Sequence, residues 1–182
     1  MKWKVLESTY LHREPWLTIR KDKCEMPNGH IIPAFYINEY PDWVNVFGLT
    51  REGKVLMVAQ YRHGIGENCM ELPGGVAEKG ESPEEAIRRE AKEETGYQFE
   101  AFVYLGKICA NPSTTNNWMH MFLATGGVQV AEQQLDESEE IEIKLMAVEE
   151  VLQLLQQNKI VQSLHANCIL YALMHLGRLT FK

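Results

Sequence analysis

The chain has 182 residues, 45% of them apolar and 24% charged, with a formal net charge of −7. That length allows one domain, or one domain with a small extension, and the apolar fraction is enough for a packed core. The acidic balance argues against a nucleic-acid polymer as partner, which needs a basic surface, and no apolar run approaches the ~20 residues that cross a bilayer.

In chain order, residues 3–38 read as a small antiparallel unit. Strand-like runs at 16–20 and 31–37 flank a Pro27-Asn28-Gly29 turn. A three-stranded sheet of that size is marginal alone, so it is expected to pack on the main domain, on a second subunit, or on both. Residues 43–49 and 55–61 are apolar runs joined by Arg51-Glu52-Gly53-Lys54, which suggests a hairpin. It feeds a glycine-rich turn, Leu72-Pro73-Gly74-Gly75, where backbone can approach a ligand closely.

A helix follows, opened by Pro83 and ended at Gly96, where a left-handed cap is expected. Residues 98–110 and 118–125 read as strands around the polar loop 111–117. Residues 128–140 form an acidic, Gln-rich loop, and 141–146 a short strand. Amphipathic helices are expected over 148–157 and 161–177. Strands, a central helix, strands and a terminal helix make a mixed α/β layout. The division expected is an N-terminal β unit over 1–40 and a main domain over 41–182.

Residues 1–7 include no apolar stretch of signal-peptide length. Cys24, Cys69, Cys109 and Cys168 are scattered without a CxxC pair. Reduced thiols in a cytoplasmic protein are therefore expected, not disulfides or a zinc site.

The central helix carries an electrostatic oddity. Glu90, Glu93 and Glu94 lie at i, i+3 and i+4, on one face. Like charges at that spacing cost about 0.2–0.5 kcal/mol per pair, and a bound cation is the usual reason to tolerate them. Hard divalent ions take oxygen ligands and bridge carboxylates to substrate phosphates. A solvated, charge-laced surface helix would account for Glu84, Glu85, Arg88, Arg89 and Lys92. It would explain neither the Pro-Gly-Gly entry nor the crowded carboxylates.

The pattern Gly75, five residues, Glu81, seven residues, Arg89-Glu90-Ala91, one residue, Glu93-Glu94, one residue, Gly96-Tyr97 resembles the Nudix box, G-x5-E-x7-R-E-U-x-E-E-x-G-U. Every fixed identity is present, and Tyr97 is bulkier than usual for its apolar position. The resemblance implies an α/β/α sandwich with a mixed sheet, and a hydrolase that uses Mg²⁺ or Mn²⁺ to cleave nucleoside diphosphates linked to another moiety. It covers roughly residues 41–150, most firmly 60–112.

By the resemblance, Glu90 and Glu94 ligate metal with Glu93 beside them, and the Gly74 carbonyl is a further ligand. Arg89 can pair with Glu81 and, at i+4, with Glu93, fixing carboxylate orientation. In relatives acting on nucleotide sugars a glutamate on a late loop activates the water. Here the matching stretch is 136–141, with Glu139 the first choice of base, then Glu137 and Glu140; Glu93 is the alternative. A solvated acidic loop is the plain alternative for the whole stretch. Arg62, at a strand end, is placed to hold a phosphate through two parallel hydrogen bonds. Glu71 is a metal ligand or a supporting group, and His63 and His120 read as structural.

Pro112, sixteen residues after Gly96, is similar to the pattern of ADP-ribose pyrophosphatases. A tyrosine there would point instead to dinucleoside polyphosphates. The loop lacks the extra Pro-Gly of many ADP-ribose enzymes, which leaves room for other sugars, GDP-mannose among them. Trp16, Tyr40, Trp43 and Trp118 are candidates to stack a base or sugar, with Trp43 preferred. The substrate implied is a small nucleotide sugar, cleaved to a nucleoside monophosphate and a sugar phosphate. The N-terminal unit is expected to make a homodimer. Competing expectations are a related hydrolase of nucleoside triphosphates, dinucleoside polyphosphates or RNA caps, and a non-catalytic ADP-ribose-binding module. The intact box argues against the last.

Overall fold

The computed structural model describes residues 1–179. Two compact units are present. The first comprises Met1–Asp42 and Cys109–Trp118; the second comprises Trp43–Ile108 and the chain from Met119 onward.

In the first unit, β1 (Lys4–Glu14), β2 (Leu17–Glu25) and β3 (Ile31–Glu39) form an antiparallel sheet in that order. The turn before β3 closes through Gly29 N–H to Met26 O at 2.9 Å, with Gly29 at φ 81°. That left-handed backbone is one glycine adopts at little cost. Trp16 lies in the turn before β2 instead of in the strand, and is 86% exposed. All eleven residues of β1 are exposed. The 109–118 segment is stitched to the end of β3: Asn38 N–H donates to Thr114 O, Tyr40 N–H to Asn116 Oδ1, and Asn117 Nδ2 to Pro41 O.

The second unit is built on a mixed eight-stranded sheet. Its strands are β4 (Trp43–Thr50), β5 (Val55–Arg62), β6 (Glu67–Glu71), β7 (Gly74–Val76), β8 (Tyr97–Gln98), β9 (Ala101–Ile108), β10 (Met119–Gln129) and β11 (Ile141–Met146). The main path runs β11-β5-β4-β10-β8; β6 pairs with β5, β7 with β4 and β9 with β10. β4 and β10 are parallel, and the other pairs are antiparallel.

Side chains alternate across this sheet into two cores, as the two-residue strand period requires. Val44, Val46, Leu56, Phe122 and Ala124 face α1 (Pro83–Thr95) through Ala86, Ile87 and Ala91. Phe47, Val55, Met57, Met121 and Leu123 face α2 (Val148–Gln156) and α3 (Ser163–His175) through Val151, Ile169, Ala172 and Leu173. The result is an α/β/α sandwich. No helix of the described residues is long and apolar enough to cross a membrane.

Several expected boundaries shift, each through a long-range contact. The strand expected over 98–110 is broken, because the buried Phe99 ring turns inward against Gly48 and Gly127. A Cβ on Gly48 would meet that ring at 2.5 Å. The strand expected to stop at 125 runs on to Gln129, where Val128 and Gln129 pair with β8. β6 was not expected, and Gly74–Val76, expected as a turn, is a strand paired with Trp43, Val44 and Asn45 of β4. The last helix spans Ser163–His175, shorter than the expected 161–177.

Candidate functional site

Local chemistry sets both ends of α1. Ser82 Oγ accepts from Glu85 N–H at 3.3 Å, and Glu85 Oε2 accepts from Ser82 N–H at 2.9 Å, a reciprocal cap reinforced by Pro83. Gly96, at φ 73°, ends the helix and donates to Lys92 O. A Cβ there would meet Ala131 O at 2.0 Å, so both conformation and space call for glycine.

Between these ends α1 turns its carboxylates toward β7. Gly74 N–H donates to Glu94 Oε2 at 2.8 Å, and Val76 N–H supports Glu90. The Glu90 carboxylate lies against Gly75; a Cβ at that position would meet its oxygens at 2.5 and 2.6 Å. Gly74 is pressed against β4 as well, since a Cβ there would meet Val44 O at 2.2 Å. The two glycines thus let two strands and two carboxylates converge.

Arg89 is the hub. Its Nε and Nη2 donate to the two oxygens of Glu81, each at 3.0 Å. Nη1 donates to Glu90 Oε1 at 2.9 Å and Glu93 Oε2 at 3.0 Å, and Nη2 also reaches Val76 O at 3.0 Å. The guanidinium hydrogen bonds hold the Glu81 carboxyl below its ordinary range, and they raise the pKa of Arg89 itself. Glu93 is the most exposed of the three helix carboxylates.

Glu94 differs from the rest. It is 6% exposed, and burial pushes its pKa up to about 8, with the charges of Glu90 and Glu139 adding to the shift. The Gly74 hydrogen bond and Arg62 oppose it. Burial also raises Glu90. A buried carboxylate whose pKa is raised further by a half-buried one is an arrangement that asks for positive charge.

The donor set fits a hard divalent cation. It is all oxygen, two of its members are raised by burial, and Gly75 leaves the space Glu90 needs. Among the described residues no three His, Cys, Asp or Glu side chains converge closely enough to hold an ion alone. Mg²⁺ is commonly held by one or two carboxylates, with waters and substrate phosphate supplying its other oxygens.

The 135–140 loop is anchored at both sides. Gln134 N–H donates to Glu93 O at 2.8 Å, and Gln133 Nε2 bridges Glu94 O at 2.7 Å and Ile141 O at 3.1 Å. Glu139 is half-buried and accepts from Asp136 N–H at 3.1 Å, while Glu137 and Glu140 are exposed. Arg62 spends Nε and Nη2 on Glu71, at 3.0 and 2.6 Å, and Glu71 is 1% exposed. Trp43 is half-buried, and its ring packs on the core that faces α2 and α3. Pro112 belongs to the other unit, in the exposed loop beside β3.

Glu81, Arg89, Glu90, Glu93 and Glu94 are therefore brought into one network with β7, and the charges of Arg62 and Glu139 act on Glu94. Two participants escaped the sequence: Gln133, and His165 on α3, whose Nδ1 accepts from Leu72 N–H at 2.9 Å. Neither belongs to a motif, and their partners are distant in the chain.

Comparison with known proteins agrees with this geometry. Residues 39–167 match the NUDIX domain, and residues 3–38 match the nucleoside diphosphate sugar hydrolase N-terminal domain. The chain is 32% identical over 151 residues to ADP-ribose pyrophosphatase of Bacillus subtilis (strain 168), covering 82% of this chain and 81% of that one. It is 30% identical over 161 residues to the methanol dehydrogenase activator of Bacillus methanolicus, covering 88% and 86%. A solved structure described as an ADP compounds hydrolase superposes with a TM-score of 0.84 at 20% identity, covering 98% of each chain, a likeness of fold. With the domain match spanning most of the chain and the complete box set on the α1–β7 platform, this chain belongs to the Nudix family.

Proposed function

We propose that the protein is a divalent-cation-dependent pyrophosphatase of nucleoside diphosphate sugars, ADP-ribose foremost and GDP-mannose next. The reading rests on one observation above others, the pair of buried Glu94 and half-buried Glu90 held against the β7 backbone. The relatives named ADP-ribose pyrophosphatase and the match of residues 3–38 to a nucleoside diphosphate sugar hydrolase domain support the substrate class.

Glu90 and Glu94 would hold the cation, with Glu93 and the Gly74 carbonyl as further ligands; Mg²⁺ is the ion expected, and Mn²⁺ its substitute. Bound there, the ion neutralises charge on the phosphoryl oxygens of a pyrophosphate. Arg89 keeps Glu81, Glu90 and Glu93 oriented, so that no reorganisation is needed when substrate arrives. Glu139 accepts the proton of the attacking water as its oxygen bonds to phosphorus. The bridging P–O bond breaks, and the two products leave as a nucleoside monophosphate and a sugar phosphate. Arg62 and Trp43 are assigned to substrate, the first through phosphate and the second through base or sugar.

A homodimer through the N-terminal unit completes the reading. It is supported by the exposed apolar side chains Val5, Leu11 and Trp16. Light scattering at the mass of two chains is the expected result. Four free thiols suit a reducing compartment, and we place the enzyme in the cytoplasm.

A panel of ADP-ribose, GDP-mannose, other nucleotide sugars, dinucleoside polyphosphates, nucleoside triphosphates and capped RNA, each with and without Mg²⁺, tests the function. Cation-dependent cleavage of nucleotide sugars supports it. Activity confined to triphosphates or capped RNA, or binding of ADP-ribose without cleavage, contradicts it. For the base, Glu139→Gln should lower kcat about 10²- to 10⁴-fold with little change in metal affinity. An unchanged rate moves the role to Glu93, Glu137 or Glu140.

A further inference from the structure

His165 lies in the first turns of α3, 5% exposed, and the chemistry proposed above does not use it. Its Nδ1 accepts the Leu72 N–H at 2.9 Å. An amide proton needs a lone pair, so Nδ1 is unprotonated and the ring proton sits on Nε2. Nε2 faces Glu71 Oε2 at 3.8 Å, beyond a hydrogen bond but close for charge. Burial pushes the imidazole pKa down to about 4, so the ring is neutral near pH 7.

The two groups that His165 touches lead straight into the cation site. Glu71 holds Arg62 by two hydrogen bonds. Leu72 is followed by Pro73, whose carbonyl accepts from Val46 N–H at 3.0 Å, and then by Gly74, whose N–H holds Glu94. The same turn of α3 grips the neighbouring strand: Asn45, paired in register with Gly74, donates from Nδ2 to Leu164 O at 3.3 Å. The turn is thus fixed at Leu72 by His165, at Pro73 by Val46 and at Gly74 by Glu94 and β4, and His165 is the contact that lies outside the sheet and α1.

We propose that His165 is a positioning residue for the cation site: by taking the Leu72 N–H and facing Glu71, it sets the Leu72-Pro73-Gly74 turn from which Gly74 reaches Glu94. The inference rests on the assignment of the cation to Glu90 and Glu94. Supporting groups of this kind typically change metal affinity or activity by about 10- to 100-fold when removed.

The side chains that mimic each half of imidazole separate the two contacts. In His165→Asn the amide oxygen falls near the Nδ1 position and can still take the Leu72 N–H. In His165→Gln the amide falls near Nε2 and cannot. Mn²⁺ alone is titrated into the metal-free full chain, with free Mn²⁺ read by electron paramagnetic resonance. The proteins compared are wild type, His165→Asn, His165→Gln, His165→Leu and Glu94→Gln, with kcat and KM measured in parallel.

The expected result is Mn²⁺ binding about 10-fold weaker in the Gln and Leu variants, with the loss in kcat exceeding any change in KM. The Asn variant should stay within about threefold of wild type. If the Leu variant fails to fold, the Asn and Gln pair decides: equal affinities in those two overturn the proposal. A folded Leu variant with wild-type Mn²⁺ affinity overturns it as well. Weak binding by Glu94→Gln beside wild-type binding by the His165 variants would remove this inference alone. Wild-type binding by Glu94→Gln would remove the site assignment and the inference together.

Discussion

Replacing Glu94 by glutamine is expected to abolish turnover, by about 10³-fold or more, while leaving a protein that is more stable in metal-free buffer. The two halves have one cause. Glu94 is buried, and its carboxyl is raised from an ordinary 4.5 to about 8. The folded chain therefore keeps a proton that the unfolded chain gives up. Stability of the metal-free protein falls as pH rises from about 4.5 through about 8, because the folded state binds more protons over that window. Glutamine has no proton to lose and its amide oxygen can still accept from Gly74 N–H. At pH 8 the variant should be more stable by an amount on the order of a few kcal/mol. Added Mg²⁺ or Mn²⁺ should raise the melting temperature of the wild type and not of the variant, since only a ligand that binds the folded state stabilises it. Thermal melts at pH 5 and pH 8, with and without metal, check both signs. A variant with wild-type rates, or a wild type whose metal-free stability rises between those pH values, contradicts the assignment.

Arg89→Met should lower turnover by about 10²-fold and stability by about 2 kcal/mol. One guanidinium serves Glu81, Glu90, Glu93 and the Val76 carbonyl. Its loss leaves half-buried Glu90 short of its neutralising partner, and it frees the carboxylates to take other rotamers. Arg89→Lys keeps the charge without the planar fork, so it should recover part of the stability and little of the turnover. The neighbouring Arg88 is an internal control. It pairs with exposed Glu84 at 2.8 Å and lies 4.1 Å from the centre of the Phe102 ring, outside the site. Arg88→Met should cost less than about 1 kcal/mol and leave kcat unchanged. Urea unfolding and steady-state kinetics on the three variants decide it. Equal losses for Arg88→Met and Arg89→Met would show that Arg89 acts only through surface charge.

What could be read from the chain alone was whatever helical period and local capping control. The spacing of Arg89, Glu90, Glu93 and Glu94 translates directly into one face of α1, and Ser82-Pro83 and Gly96 mark its ends. The order of apolar runs indicated a mixed α/β layout, and the α/β/α architecture came from the family resemblance. What could not be read depends on partners far along the chain. Gly74–Val76 has little strand propensity and becomes a strand only because β4 pairs with it. Phe99 breaks its strand because Gly48 and Gly127, remote in sequence, leave room for its ring. The β5–β6 hairpin sets buried Glu71 beside Arg62 and engages its Nε and Nη2, a pairing that no local pattern marks. His165 sits in a largely apolar helix, and its partner Leu72 is 93 residues away, so no local pattern marks it.

The most direct test of the central claim is ³¹P nuclear magnetic resonance of ADP-ribose incubated with the protein and Mg²⁺. The pyrophosphate resonances should give way to two phosphomonoester resonances, those of the nucleoside monophosphate and the sugar phosphate. The conversion should stop when the metal is chelated and be absent with Glu94→Gln. Intact pyrophosphate signals under these conditions, or conversion that persists after chelation, would contradict a divalent-cation site at Glu90 and Glu94.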